Sequence, residues 1–231
     1  MFVSAVVPAA GLGLRLNSKV PKPLVELNKK PIFIRTLEVL SRHPDVREIV
    51  LVVSSNSIDS TERYLKKNRI EKIKKLVAGG AKRTDSVRNG LKQVSPEADL
   101  VLIHDAVRPF IDSDMISRVI LEAAKCGAAV VGVPLKSAIK EIDKNSRIIR
   151  TLNRRHLCEI QTPQVFRREL IIEAYGKFPD AAAVDDAALV EKLGKKVAVV
   201  SGSYFNIKIT TPDDLVFARS ILLEKYEREH L

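Results

Sequence analysis

The stretch Val3–Pro23, reading VSAVVPAAGLGLRLNSKVPKP, constrains this chain more than any other. Val3, Ala5, Val6 and Val7 form a short apolar run of the kind that a strand buried on both faces needs, and the run ends in a loop holding Gly11 and Gly13. Glycines let backbone N–H groups approach an anion closely. The same stretch carries Arg15 and Lys22, cations placed to meet charge cradled by that backbone, so a nucleoside triphosphate is the expected guest. Two other glycine loops fail to match. The dinucleotide fingerprint needs a third glycine where this chain has Leu16, and an acidic residue closing the second strand where it has Ser54 and Ser55. A Walker loop needs Gly-Lys-Ser/Thr after its spacer, and no such string follows Gly11 or Gly13.

Beyond the loop, apolar and polar residues alternate between helical and strand patterns. Pro31 to Leu40 reads as a helix, Glu48 to Val53 as a strand, Ser57 to Lys67 as a charged amphipathic helix, and Ile73 to Val77 as a strand ending at Gly79-Gly80. Arg83 to Val94 is a further helix, Leu100 to His104 a buried strand with Asp105 at its end, Asp112 to Ala124 a helix, and Ala128 to Pro134 a buried strand. Such alternation argues an α/β domain with a mostly parallel sheet covered by helices on both faces. In such sheets ligands bind outside the carboxyl ends of the strands, the edge where Asp105 falls.

From Leu135 to Asn153 the pattern turns short and charged, with the turn-prone Asp143-Lys144-Asn145-Ser146 between isoleucine pairs. A hairpin arm is expected there. Periodicity alone leaves open whether it packs on a second subunit or folds back on its own domain, since a lone two-stranded hairpin is marginal in water. Helices at Arg167 to Tyr175 and Asp185 to Leu193, a strand at Lys196 to Val200 and a helix after Pro212 complete the reading.

Length and composition narrow the class. The 231 residues, 45% of them hydrophobic, suit one domain spanning 1–231 with a sizeable core, the arm at about 135–153 being a subregion. The N-terminal apolar run is too short to span a bilayer, lacks a basic leader and is broken by Pro8, so no membrane role and a cytoplasmic location are expected. Cys126 and Cys158 lie far apart without metal-site spacing, so both are expected to be buried or incidental. The net charge of +11 is scattered, and 5% aromatics with no Trp leaves little for base stacking, which favours small anionic substrates over nucleic acid.

Pro8-Ala9-Ala10-Gly11-Leu12-Gly13-Leu14-Arg15, followed by Pro21-Lys22-Pro23, resembles the signature loop of nucleotidyltransferases that join a nucleotide to a sugar or polyol phosphate. The likeness continues through Gly79-Gly80, Arg83 to Val87, His104 to Pro109, Thr162-Pro163-Gln164 and Asn206 to Pro212, and over nearly the whole chain it is similar to the 2-C-methyl-D-erythritol 4-phosphate cytidylyltransferases of the non-mevalonate isoprenoid pathway. The resemblance implies a Rossmann-like fold, CTP and methylerythritol phosphate as substrates, Mg²⁺ as cofactor, and a homodimer joined through the arms. It implies that Arg15 and Lys22 stabilise the transition state. Pro8, Ala9, Ala10, Gly11 and Gly13 would wrap the triphosphate, and Gly79, Gly80 and Ser86 would hold the pyrimidine. Asp105, a hard oxygen donor, is the metal candidate. Lys208, Thr162 and, from the partner's arm region, Arg154 would hold the acceptor's phosphate, with Arg108 as a substrate-side cation.

In-line nucleotidyl transfer needs charge neutralisation and positioning rather than a nucleophilic side chain, which agrees with the lack of a Ser-His-Asp or Cys-His pattern. Two departures from the family pattern stand out: Pro23 replaces the usual glutamine, and Ala138, preceded by Ser137, takes a position usually held by threonine. The nearest rival is a ribitol 5-phosphate cytidylyltransferase, disfavoured by the Pro8-Ala9-Ala10-Gly11 opening and by Lys140 on the arm. A non-catalytic nucleotide- or RNA-binding protein is a rival of another class, against which the retained Arg15, Lys22, Asp105 and Lys208 count.

Overall fold

The computed structural model describes residues 1–11, 21–179 and 183–229, with side chains described as far as residue 224. A seven-stranded sheet forms its centre, in the order β11-β7-β10-β6-β1-β4-β5. These strands are β1 (Val3–Pro8), β4 (Val46–Val53), β5 (Ile73–Ala78), β6 (Leu100–Ile103), β7 (Ala128–Pro134), β10 (Cys158–Arg167) and β11 (Ala198–Ser201). β1 pairs in parallel with β4 and β6, β4 with β5, and β7 with β11. Only β10 runs antiparallel, to both β6 and β7.

The β1 run is buried on both faces because successive side chains point to opposite sides of a strand. Val3, Ala5 and Val7 join a core beneath α1 (Ile32–Arg42) and α4 (Ser113–Cys126). Val6 points the other way, into a second core with Val87 and Leu91 of α3 (Arg83–Leu91) and Ile171 of α5 (Arg168–Lys177). A third, smaller cluster joins Leu27, Ile32, Phe110 and Ile209 to Ala218 of α7 (Pro212–Glu229). Each fully buried branched aliphatic or Phe side chain contributes roughly 1.5–3 kcal/mol, so stability resides on the two faces of this sheet. Helix α4 shows how sequence sets a boundary. Asp112 Oδ1 accepts from Met115 N at 2.7 Å at its start, and Gly127, at φ +93, lets the chain leave in a left-handed turn.

The arm is a separate two-stranded sheet of β8 (Ile139–Ile142) and β9 (Ile148–Leu152), with Ile139 opposite Leu152. Its side chains are mostly exposed: Ile142 is 56%, Ile148 64% and Ile149 59% accessible. A small ribbon of β2 (Glu26–Leu27) and β3 (Lys30–Pro31), helix α2 (Ile58–Lys67) and helix α6 (Ala187–Lys192) complete the fold. Among the described residues no helix is long and apolar enough to cross a membrane.

Two expectations need correction. Strand β10 is missing from the pattern reading because Pro163 interrupts it, and a proline usually argues against a central strand. Here the pairing with β7 shifts register between Ile160 and Gln164, which removes the need for a donor at Pro163. Of the two alternatives for the cysteines, burial is the one that falls: both are exposed, Cys126 at the end of α4 and Cys158 at the start of β10.

Candidate active site

A cleft of about 710 Å³ opens outside the carboxyl ends of β1, β4, β5 and β6, a volume suited to a small ligand. Pro8, Ala9, Ala10 and Gly11 follow β1, Ser54 and Ser55 follow β4, Gly79 and Gly80 follow β5, and Asp105 follows β6. Lys22, Arg83, Lys208 and Thr210 line the remaining wall. Arg15 and Gly13 lie outside the described residues.

Glycine is required at the base of this cleft. A Cβ on Gly79 would stand 2.4 Å from the Ala10 Cβ and 2.8 Å from Ser86 Oγ, and one on Gly80 would stand 2.3 Å from the Asp85 Cβ. The loops after β1 and β5 therefore touch through Gly79, while Gly80 packs on the start of α3. Ser86 is buried there, where its hydroxyl accepts from Gly80 N at 3.2 Å and donates to the Lys82 carbonyl at 3.2 Å.

Asp105 is the only acidic residue lining the cleft among the described residues, and it is 6% exposed. Its Oδ1 accepts from Arg83 Nε at 3.0 Å and its Oδ2 pairs with Lys208 Nζ at 2.7 Å. Burial alone would raise the carboxyl's pKa, but Arg83 first and Lys208 next hold it well below the usual carboxylate range. The guanidinium of Arg83 also forks onto Asp186, through NH1 to Oδ1 at 3.0 Å and NH2 to Oδ2 at 2.7 Å. Burial opposes that charge too, yet Asp186 and Asp105 together raise the Arg83 pKa well above its ordinary value.

Behind Asp105, a hydrogen-bond chain fixes its backbone. His104 is fully buried, and burial lowers its pKa to about 4, so its ring is neutral. Its Nε2 lies 3.1 Å from the Arg108 carbonyl, which can only accept, so the proton sits on Nε2 and Nδ1 is an acceptor. Thr162 Oγ1, 3.0 Å from that Nδ1, therefore donates to it while accepting from Asp105 N at 3.1 Å. The only hydroxyl proton of Thr162 is thus used inside the protein. This arrangement gives Thr162 a part in holding Asp105, and Thr162 itself does not line the cleft.

Arg108 is 7% exposed, does not line the cleft, and its NH1 donates to the Asn206 carbonyl at 2.7 Å, so it braces the loop at Asn206. Arg154 sits on an exposed 3₁₀ turn, Arg154–His156, beyond the arm and away from the cleft of its own chain. Lys22 lies on another short turn, Lys22–Leu24, 9% exposed and lining the cleft.

The pattern reading overlooked Arg83 and Asp186 as members of the site. Arg83 stands three residues beyond Gly80 at the start of α3, a position that a helix reading absorbs without remark. Asp186 precedes α6 and resembles an ordinary helix-starting acid.

The donor set suits one mode of metal binding. No group of three or more His, Cys, Asp or Glu comes together among the described residues, which excludes an all-protein cage there. Mg²⁺ commonly needs only one or two carboxylates beside phosphates and water, and each Asp105 oxygen keeps a lone pair beyond its ion pair. The residues present fit a magnesium ion that arrives with a phosphate ligand.

Comparison with known proteins converges on one family. The family described as IspD, 2-C-methyl-D-erythritol 4-phosphate cytidylyltransferase, matches residues 3–224. A 2-C-methyl-D-erythritol 4-phosphate cytidylyltransferase of Syntrophus aciditrophicus is 44% identical over 229 residues, covering 98% of both chains. One of Alkaliphilus metalliredigens is 40% identical over 230 residues, covering 98% of this chain and 95% of its own. Among solved structures, the 4-diphosphocytidyl-2C-methyl-D-erythritol synthase of Anaerococcus prevotii superposes with a TM-score of 0.86 at 35% identity, covering 96% of both chains. The cytidylyltransferase of Thermus thermophilus gives 0.80 at 30% identity, covering 96% of this chain and 99% of that one. With its glycine-floored cleft, its cations gathered on Asp105 and a match along nearly its full length, the chain belongs to the 2-C-methyl-D-erythritol 4-phosphate cytidylyltransferase family.

Proposed function

We propose that this chain transfers the cytidylyl group of CTP to 2-C-methyl-D-erythritol 4-phosphate, releasing pyrophosphate, and that it works as one nucleotidyltransferase domain in the cytoplasm. The observation that carries the reading is the convergence of Lys22, Arg83 and Lys208 on a cleft with a single carboxylate among the described residues, lined by residues 8–11 and 79–80. An oxygen of the acceptor phosphate attacks the α-phosphorus, the bond to the bridging oxygen breaks, and pyrophosphate leaves with the electron pair. Both reactants are anionic, so cations that relieve their repulsion and the charge of the transition state do most of the work.

Lys22 and Arg15 serve the triphosphate side. Lys208 serves the acceptor side, since its ammonium has three N–H groups and only one is needed for Asp105. Gly79, Gly80 and Ser86 hold the base against the backbone. Asp105 is the residue that would hold Mg²⁺, which when bound supplies further neutralisation of the phosphate oxygens. The arm of Ile139–Leu152 pairs with that of a second copy, which brings Arg154 to the partner's acceptor site. Support for that reading comes from the exposed Ile142, Ile148 and Ile149 on a hairpin too small to be stable alone.

The test is turnover of CTP, UTP, ATP and GTP against methylerythritol 4-phosphate and ribitol 5-phosphate, with pyrophosphate release as readout. Fastest turnover with CTP and methylerythritol 4-phosphate is expected. Faster turnover with ribitol 5-phosphate would replace the reading.

A further inference from the structure

We propose that Arg83 and Asp186 are positioning residues that fix the carboxylate of Asp105 for the reaction, Asp186 acting entirely through Arg83. The inference rests on the functional reading above, because it presupposes that Asp105 meets the substrates.

Asp186 is fully buried and does not line the cleft, so its charge requires an explanation. Helix capping does not provide one. The side chain of Asp186 makes no capping hydrogen bond to α6; Asp185 Oδ1 accepts from Ala188 N at 2.9 Å instead. Gln164 Oε1 accepts from the backbone N–H groups of Asp186 and Ala187 at 3.1 and 3.0 Å. With the helix start thus satisfied, both oxygens of Asp186 are left for side chains. They take the Arg83 fork, and Oδ1 also accepts from Tyr175 OH at 2.5 Å.

Stability alone is a weak reason for such an arrangement. A buried ion pair loses so much hydration that apolar replacements of similar shape are often neutral or stabilising. Geometry is the better reason. A guanidinium is planar and presents donors in fixed directions, so an Arg83 clamped to Asp186 by NH1 and NH2 has the direction of its Nε fixed as well. That third donor meets Asp105 Oδ1.

Strand β10 sets the distance between the two acids. Thr162 and Gln164 are two residues apart on this strand and hold the backbone N–H groups of Asp105 and Asp186 respectively. The strand acts as a ruler and Arg83 as the clasp across it. One consequence follows for the cations on Asp105. Arg83 is held from behind and keeps Oδ1, whereas Lys208, 38% exposed and with no second acid partner among the described residues, is the one able to exchange Asp105 Oδ2 for a phosphate.

The experiment compares the wild-type chain with Asp186→Asn, Tyr175→Phe, Arg83→Lys and Arg83→Ala, with rates normalised to the folded fraction by circular dichroism. Asp186→Asn should lower kcat by about 10-fold or more while KM for CTP and for the acceptor each stay within about threefold, as expected when positioning and not binding is lost. Arg83→Lys should not restore the wild-type rate, because a point charge cannot serve two acids as a fork does. Arg83→Ala should be partly rescued by millimolar guanidinium and not by urea, a response that a merely structural role would not produce. Should Asp186→Asn fail to fold, Tyr175→Phe replaces it: loss of one hydroxyl should lower kcat by about threefold, again with little change in KM. Wild-type kcat in the folded Asp186→Asn chain, or in Tyr175→Phe if only that folds, would overturn the inference. So would a fully active Arg83→Lys or the absence of guanidinium rescue. An inactive wild type would overturn the functional reading, and this inference with it, whereas an active wild type with an indifferent Asp186 would overturn the inference alone.

Discussion

Around Asp105, charged groups are buried and matched within one chain: Asp186 is fully enclosed, Asp105 nearly so, and Arg83 bridges them. On the arm the balance is reversed, with isoleucines in the open and an ion pair, Arg150 Nε to Glu141 Oε2 at 2.5 Å, between side chains that are 68% and 43% exposed. The cleft draws its precision from its own sheet. The arm has a shape but little burial, so its isoleucines gain free energy only when another surface covers them. The difference teaches that one chain contains both a cleft completed from its own sheet and an element whose apolar surface it leaves uncovered.

The largest effect should come from the cleft. Replacing Lys22 or Arg15 by Ala should lower kcat on the order of 10²-fold or more, as for lost oxyanion donors. Wild-type kcat in steady-state assays of both variants would break the contrast by removing the chemistry from this side. Next comes a test that joins the two regions. Arg154→Ala and Asp105→Asn chains, each inactive alone, should regain roughly half of wild-type activity per heterodimer when refolded together, because one composite site then receives both lesions and the other none. If native mass spectrometry detects heterodimers but activity stays at parental levels, the site is built within one chain and the arm only joins subunits.

A third effect concerns pH. Burial keeps His104 neutral with a pKa lowered to about 4, against about 6.5 in an unfolded chain. Between those values the unfolded chain binds a proton that the folded chain does not, so stability present above about pH 6.5 is lost as pH falls toward 4. His104→Gln should flatten this slope by up to about 3 kcal/mol, read from urea midpoints across that window. An unchanged slope would show that the back of the cleft titrates elsewhere. The smallest effect belongs to the arm: Glu141→Ala should alter folding stability by less than about 1 kcal/mol, since exposed ion pairs are weak. A larger loss in thermal unfolding would mean that the arm's surface charges are not solvated as the chain displays them.

Much of this arrangement was legible in the sequence, for reasons that differ by element. The buried run Val3–Val7, the hairpin turn at Asp143–Ser146 and Asp105 at a strand end follow from local pattern, and the fold keeps them. Strand β10 was hidden because its signal is non-local: Pro163 breaks the local pattern, and only pairing with β6 and β7 makes the segment a strand. Asp186 was hidden for a related reason. Its partner Arg83 lies 103 positions away in sequence, and nothing in the neighbourhood of either residue announces the contact. Thr162 and Arg108 were found as residues of interest, but the direction of each side chain is set by His104 and Asn206, which a motif does not encode.

The register of β7 against β10 has a consequence for how such a protein can be modified. Cys158 lies directly opposite Pro134, so the two strands are the legs of one antiparallel hairpin and residues 135–157 are an elaboration of its loop. The arm is thus a modular insert, spliced in where the sheet asks only for a turn. A short connection there leaves every strand of the central sheet in place, and a different loop meets the same two anchor points. An associating surface carried at this position can be gained, lost or exchanged without rewriting the domain beneath it.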